Sequence, residues 1–303
     1  MRDSSGYKEY VAGLLAGVAT VGTGHPFDTV KVKMQMHNTV EHGITYRNGL
    51  HCTVRILRTE GIKGLYRGAT SSFMGVAFES SLLFGMYSQM KQSLQGNVQS
   101  AVPQPQIIIP SAAFGGAMIS FILCPSELVK CRMQVQGTDS LVPISSRYAG
   151  PLDCALKTVK EDGVRGIFRG GFTTFLREAT GNAVFFTVYE YVRYHMHLQL
   201  KSASSDHKNL IDVGVGIVSG GLGGIAFWSA VLPLDVAKTI IQTSADKNST
   251  RNPFQILSSI YKMAGLKGCY TGLGPTIVRA FPANAAAIVS WEIAIKLLGI
   301  QRE

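Results

Sequence analysis

Charge is scarce in this sequence. Only 16% of its 303 residues are Asp, Glu, Lys or Arg, against about 25% in typical soluble domains, and the mean hydropathy is +0.17. Paired cysteines are missing too. Cys52, Cys124, Cys131, Cys154 and Cys269 contain no CxxC spacing, which excludes a disulfide framework and leaves reduced, packed thiols. Residues Met1 to Tyr10 hold neither a hydrophobic signal core nor an Arg-rich amphipathic presequence, so any organelle address is expected to be internal. No nucleophile–base pair or metal-ligand cluster recurs, which speaks against an enzyme; His25, His37, His42 and His51 are scattered. Acids are outnumbered, 19 against 29 bases, for a formal net charge of +10. Such an excess suits nucleic acid, anionic lipid or a path for anions.

Long uncharged runs favour lipid. Val213 to Leu234 carries no charge and is long enough to cross a hydrocarbon core of about 30 Å as a helix. Ala101 to Ser126 is also uncharged, behind a Pro-rich start, and Tyr10 to Gly24 is a shorter apolar stretch. Each of the three ends in one phrase. Pro26-Phe27-Asp28-Thr29-Val30-Lys31 returns as Pro125-Ser126-Glu127-Leu128-Val129-Lys130 and as Pro233-Leu234-Asp235-Val236-Ala237-Lys238. A glutamine follows nine residues after each proline: Gln35, Gln134 and Gln242. A period of roughly 100 residues means three copies of one unit, divided here at 1–100, 101–203 and 204–303. Three acid–base phrases around one axis predict a ring of ion pairs. The prolines predict kinks, and the small pairs Gly13/Gly17, Ala112/Gly116 and Gly220/Gly224 predict close helix packing.

A second phrase follows. Glu60-Gly61-Ile62-Lys63-Gly64-Leu65-Tyr66-Arg67-Gly68 is matched by Asp162 to Gly170, and by Ala264 to Gly272 with the acid and one base lost. Amphipathic stretches precede it near Leu50–Leu57, Leu152–Val159 and Phe254–Tyr261, suited to a membrane surface. Further apolar helices begin near Gly68, Gly170 and Gly272, interrupted by Glu79, Arg177, Glu178 and Arg279. Each unit therefore reads as helix, surface helix, helix. Ionisable residues within spans are expected to face a bundle interior or a watery cavity.

These two phrases at this spacing resemble the mitochondrial carrier family, from about Tyr10 to Leu298. The resemblance implies an all-α membrane protein of six transmembrane helices in threefold pseudo-symmetry around a central cavity, in the mitochondrial inner membrane, with short matrix surface helices and no enzymatic activity. It wires a matrix gate as Asp28 to Lys130, Glu127 to Lys238 and Asp235 to Lys31, with Gln35, Gln134 and Gln242 as braces beneath. It places a cytoplasmic gate on the second helix of each unit, where Tyr189-Glu190-Tyr191-Val192-Arg193 fits the aromatic-acid-x-x-base pattern. Ser88 replaces one acid and Ile295 one base, so the implied wiring leaves Glu292 to Lys91. The state open to the cytosol and closed to the matrix is then favoured without substrate. Gly64, Gly68, Gly166, Gly170, Gly268 and Gly272 are implied to admit cardiolipin headgroups at helix N-termini; no cofactor is expected otherwise, and the chain is expected to be a monomer.

The cargo is read from broken symmetry. Arg177 and Arg279 stand at one position in units two and three, where unit one has Gly75. Together with Glu79 and Glu178 they form a split site for a zwitterion with an extra cation. Arg279 takes a carboxylate, Arg177 balances Glu178 or shares that carboxylate, Glu178 takes an α-ammonium and Glu79 a side-chain cation. The expectation is exchange of basic amino acids: arginine, lysine, ornithine and histidine. Gly24 to Lys33 resembles the carnitine and ornithine branch of the family, and carnitine or acylcarnitine is the alternative, since carnitine is also a carboxylate with a fixed cation. A nucleic-acid-binding protein leaves the uncharged runs unexplained, and a dissipative leak pathway is a minor third reading.

Overall fold

The computed structural model describes residues 3–38, 46–95, 102–136, 147–200, 208–244 and 250–297. The described residues form α1 (Asp3–His37), α2 (Gly49–Leu65), α3 (Ala69–Gln95), α4 (Pro105–Val135), α5 (Pro151–Asp162), α6 (Gly171–Leu200), α7 (Lys208–Thr243), α8 (Pro253–Cys269) and α9 (Leu273–Leu297), with a 3-10 turn at Val164–Phe168. The order long, short, long occurs three times. The long helices close into a ring, with α1 on α3, α3 on α4, α4 on α6, α6 on α7, α7 on α9 and α9 on α1. His42 falls outside the described residues.

Polarity is distributed inside out. Large apolar side chains such as Leu14, Leu15, Phe121, Ile122, Ile217 and Leu222 are exposed on the outside of the ring. Lys31, Lys33, Gln35, Gln134, Arg177, Glu178, Asp235 and Lys238 are buried within it. That is the arrangement for a lipid exterior, where no water can satisfy a polar group. Pro105–Val135 and Gly214–Thr243 are long and apolar enough to cross a membrane on composition alone. Each of α1, α4 and α7 continues past its repeated proline: Pro26, Pro125 and Pro233 all lie inside their helices.

The short helices pack on the segments beyond those prolines. Val30, Met34, Cys52 and Ile56 form one such cluster, and Val129, Met133 and Cys154 another. All five cysteines are buried, with no disulfide among them. Gly61, Gly163 and Gly265 break the short helices with φ of 67°, 70° and 62°, and Gly68, Gly170 and Gly272 start the next long helix with φ of 85°, 81° and 93°. These left-handed positions are cheap only for glycine. The second set also needs the space: a Cβ on Gly272 would stand 3.0 Å from Lys31 Cγ, and one on Gly170 3.0 Å from Gln242 Cγ. A Cβ on Gly64, Gly166 or Gly268 would stand 2.5, 2.3 or 2.7 Å from the Cβ of Glu60, Asp162 or Ala264, so close local packing also calls for glycine at these positions.

Among the described residues the expected small-residue packing occurs only in α4; Gly13 falls outside those whose surroundings are described. Ala112 is fully buried, and a Cβ on Gly116 would strike the Glu178 carbonyl of α6. At Gly17, Gly220 and Gly224 a methyl group would meet nothing; there the absent side chain leaves open space.

The repeats differ below the ring. In unit one Lys33 ion-pairs with Glu60, which also lies 3.3 Å from Arg67, and Arg67 donates to the Gln136 carbonyl of unit two. In unit two Arg132 donates to Thr158 Oγ1 at 2.7 Å and to the Gln242 carbonyl at 3.1 Å. In unit three these positions are Ile240, Ala264 and Thr271, and Ile240 packs against the apolar cluster that includes Val236, Ile241, Ile256 and Ile260.

Candidate functional site: a cavity floored by ion pairs

The repeated phrases bring three acids and three lysines together. Lys31 Nζ lies 2.7 Å from Asp235, Lys130 Nζ 2.8 Å from Asp28, and Lys238 pairs with Glu127. Each pair links two repeats: the acid and base of one phrase share the inner face of their helix, three residues apart, and each reaches a different neighbouring repeat. The glutamines behave unequally. Gln35 donates to Asp235 at 2.9 Å and accepts from Thr239 at 2.8 Å, bracing its pair. Gln134 instead donates to Thr29 at 3.3 Å. The amide atoms of Gln242 have no hydrogen-bond partner among the described residues. Only one of the three expected braces therefore touches its ion pair. Beside the ring, His25 is sealed between the Arg67 carbonyl and Ser72, each 3.0 Å from a ring nitrogen.

Above the ring is a cavity of about 330 Å³, lined by the ring residues, Arg177, Glu178, Asn182, Trp228 and Arg279. The two arginines do not wait there unpaired. Arg177 Nη2 lies 2.6 Å from Glu127, its Nη1 lies 3.1 Å from Asp235, and it also bonds Glu178. Arg279 Nε lies 3.0 Å from Asp28. Every ring acid thus carries a lysine and an arginine. The planar guanidinium fork makes such bridging possible where an ammonium could not. Glu178 is fixed by Asn182, whose amide donates to its carboxylate at 3.0 Å and to its backbone carbonyl at 2.8 Å. Glu79 lies on α3, its side chain outside the described residues.

Three contributors lie outside the repeated charged phrases. Asn182 orients Glu178. Trp228 receives Lys31 Nζ at 3.8 Å from its ring centroid. Phe227 occupies the hollow left by Gly181. Trp228 and Phe227 interrupt no apolar run and recur in no other unit, while Asn182 recurs in sequence as Asn284, five residues after Arg279, but is uncharged and so breaks no pattern of charge.

At the opposite end Lys91 pairs with Glu190 at 2.5 Å, and Tyr87 donates to the same oxygen at 2.9 Å. This differs from the implied Glu292–Lys91 wiring: α3 and α6 are already clasped by stacked Tyr87 and Phe186, 3.8 Å apart, which brings Glu190 within reach. Glu292 falls outside the described side chains. Arg193 is exposed, 5.9 Å from the Tyr189 ring, and makes no ion pair among the described residues.

A threefold ring of membrane helices around a polar cavity, closed at one end by inter-repeat ion pairs, is the anatomy of a solute carrier. The family model described as "Mitochondrial carrier protein" matches residues 2–98, 106–200 and 211–302. The chain belongs to the mitochondrial carrier family and is a multi-pass protein of the mitochondrial inner membrane. It is 70% identical to the "Mitochondrial arginine transporter BAC1" of Arabidopsis thaliana, across 98% of this chain and 96% of that protein. It is 36% identical to a "Mitochondrial carnitine/acylcarnitine carrier-like protein" of the same plant, across 97% of this chain and 99% of that one. It is 33% identical to the "Mitochondrial basic amino acids transporter" of Rattus norvegicus, across 95% and 88%.

Proposed function

We propose that this carrier moves basic amino acids, arginine foremost, across the inner membrane by alternating access, and that it acts by transport rather than by catalysis. The observation that carries the reading is Arg177, one guanidinium held by Glu127, Asp235 and Glu178 together. Site and gate are a single ionic network. A substrate carboxylate competes for Arg177 and Arg279, and an α-ammonium competes for Glu178. Each exchange withdraws a cation from a ring acid, so binding energy goes into loosening the closed end. Five cations, Lys31, Lys130, Lys238, Arg177 and Arg279, face four acids, Asp28, Glu127, Glu178 and Asp235, in this network. An additional acid at Glu79 is what a cationic side chain requires, and it is assigned that role here.

The ring at Asp28, Lys31, Glu127, Lys130, Asp235 and Lys238 serves as the matrix gate, while Lys91, Glu190, Arg193 and Glu292 serve the cytoplasmic side. Cardiolipin is assigned to the seam between units one and two. A cavity of about 410 Å³ there is lined by Arg67, Gly68, Arg147, Tyr148 and Gly150. The helix α5 starts at Gly150 without a side-chain cap, whereas Asn48 and Asn252 cap α2 and α8 themselves; a phosphate suits the uncapped N-terminus best. One chain encloses the whole path, so the transporting unit is a monomer.

The test is uptake of labelled arginine by proteoliposomes loaded with unlabelled arginine, ornithine, carnitine or buffer alone. Exchange against arginine and ornithine is expected, with Glu79→Gln weakening both far more than a neutral amino acid. Exchange of carnitine without arginine uptake would instead place the protein with its carnitine-carrying relatives.

A further inference from the structure

Lys31 has two partners. Its ammonium lies 2.7 Å from Asp235 and 3.8 Å from the centroid of the Trp228 ring. Trp228 and Asp235 are seven residues apart on α7, two turns along one face. A cation over the indole is therefore delivered to the carboxylate as well. The ring is half-buried and lines the cavity beside Arg177 and Glu178. Helical side chains lean towards the N-terminus, so the residue four positions earlier usually covers the approach. Here that residue is Gly224, which lines the same cavity and where an added Cβ would meet nothing within 4 Å. Phe227 closes the flank, its ring edge-on to Trp228 at 5.2 Å. The indole thus borders the cavity with the Lys31 ammonium over its ring.

We propose that the face of Trp228 is a single seat contested by the gate cation Lys31 and the side-chain cation of the substrate, and that it selects guanidinium over ammonium. The inference rests on the reading of this protein as a basic amino acid carrier. A guanidinium is planar and weakly hydrated, stacks flat on an aromatic face, and keeps its edge for a carboxylate such as Glu79. The Lys31 ammonium is a strongly hydrated point charge and yields the face to it. A substrate ammonium has no such advantage over Lys31. When Lys31 leaves the indole, its pair with Asp235 loses a support, while Asp235 retains Gln35 and Arg177. Side-chain recognition thereby weakens the same gate that carboxylate recognition weakens. Trp228 is a specificity and positioning residue.

The experiment compares wild type, Trp228→Phe and Trp228→Leu for inhibition of labelled arginine exchange by unlabelled arginine and by ornithine. Trp228→Leu is expected to raise the arginine half-saturation about fivefold, the scale of one cation–π contact, with ornithine shifting less than about twofold; Trp228→Phe falls between. Equal shifts for both substrates, or none, overturn the proposal. Trp228 fluorescence in the Trp291→Phe protein gives a readout without transport. Arginine should change the emission saturably and ornithine much less; no arginine response overturns the proposal as well. A wild-type protein that exchanges ornithine and lysine but not arginine also refutes the guanidinium seat, while one that carries no basic amino acid at all refutes the functional reading beneath it.

Discussion

Arg279 lies against Asp28, Nε to Oδ1 at 3.0 Å, over a stretch of α1 with no side chain in the way. The bare position is Gly24, where a Cβ would stand 2.8 Å from the same nitrogen. Gly24→Ala should push Arg279 off Asp28 while favouring the helix itself by up to about 1 kcal/mol. Half-saturation for arginine is expected to rise roughly fivefold, equivalent to about 1 kcal/mol, with the melting temperature unchanged or slightly higher. Michaelis analysis beside a thermal melt checks both, and an unchanged half-saturation would show that Arg279 does not depend on Gly24.

Lys33 and Glu60 form a buried pair whose side chains are 2% and 3% exposed. Removing one partner leaves an uncompensated charge, which costs about 3–5 kcal/mol, whereas replacing both by apolar groups is often neutral. Glu60→Gln should therefore lower the melting temperature sharply in detergent, and the double change Lys33→Met with Glu60→Met should recover most of it. The natural precedent is within the chain, where unit three has Ile240 and Ala264 at these positions.

Legibility in the sequence followed symmetry. The ring pairs could be read because the acid–base phrase is written three times and each copy reaches a neighbouring repeat in the same way. The six long helices were legible for a similar reason, even though among the described residues two are apolar enough on composition alone. What symmetry could not convey was the reach of single side chains. Arg177 and Arg279 were marked as charges within a span, but their partners on α1, α4 and α7 depend on guanidinium length and on the space at Gly24. Lys91 meets Glu190 because Tyr87 and Phe186 stack, a contact between units that the repeated phrases do not mark. Gln242 occupies a brace position in sequence, yet its amide atoms meet no hydrogen-bond partner among the described residues, a difference between equivalent positions that the repeat does not convey.

The thiol of Cys154 sits at the α4–α5 contact on the short-helix side, and burial pushes it up to about 11. Only the thiolate is nucleophilic, so at pH 8 about one molecule in a thousand is reactive even where reagent reaches it. In a variant retaining Cys154 alone, maleimide labelling of folded protein should be slow at pH 8 and climb about tenfold per pH unit towards 11. A fast, flat profile would mean that the α4–α5 contact opens in solution.

The claim that site and gate are one network is tested most directly by the accessibility of Cys131, which is buried beside the ring and lines the cavity. In proteoliposomes containing a variant with Cys131 as its only thiol, an impermeant reagent is applied from the matrix-facing side with and without arginine. Arginine should accelerate labelling severalfold, and Arg177→Gln should abolish that acceleration while leaving the basal rate equal or higher. Equal acceleration with and without the Arg177 guanidinium would mean that substrate opens the gate by another route.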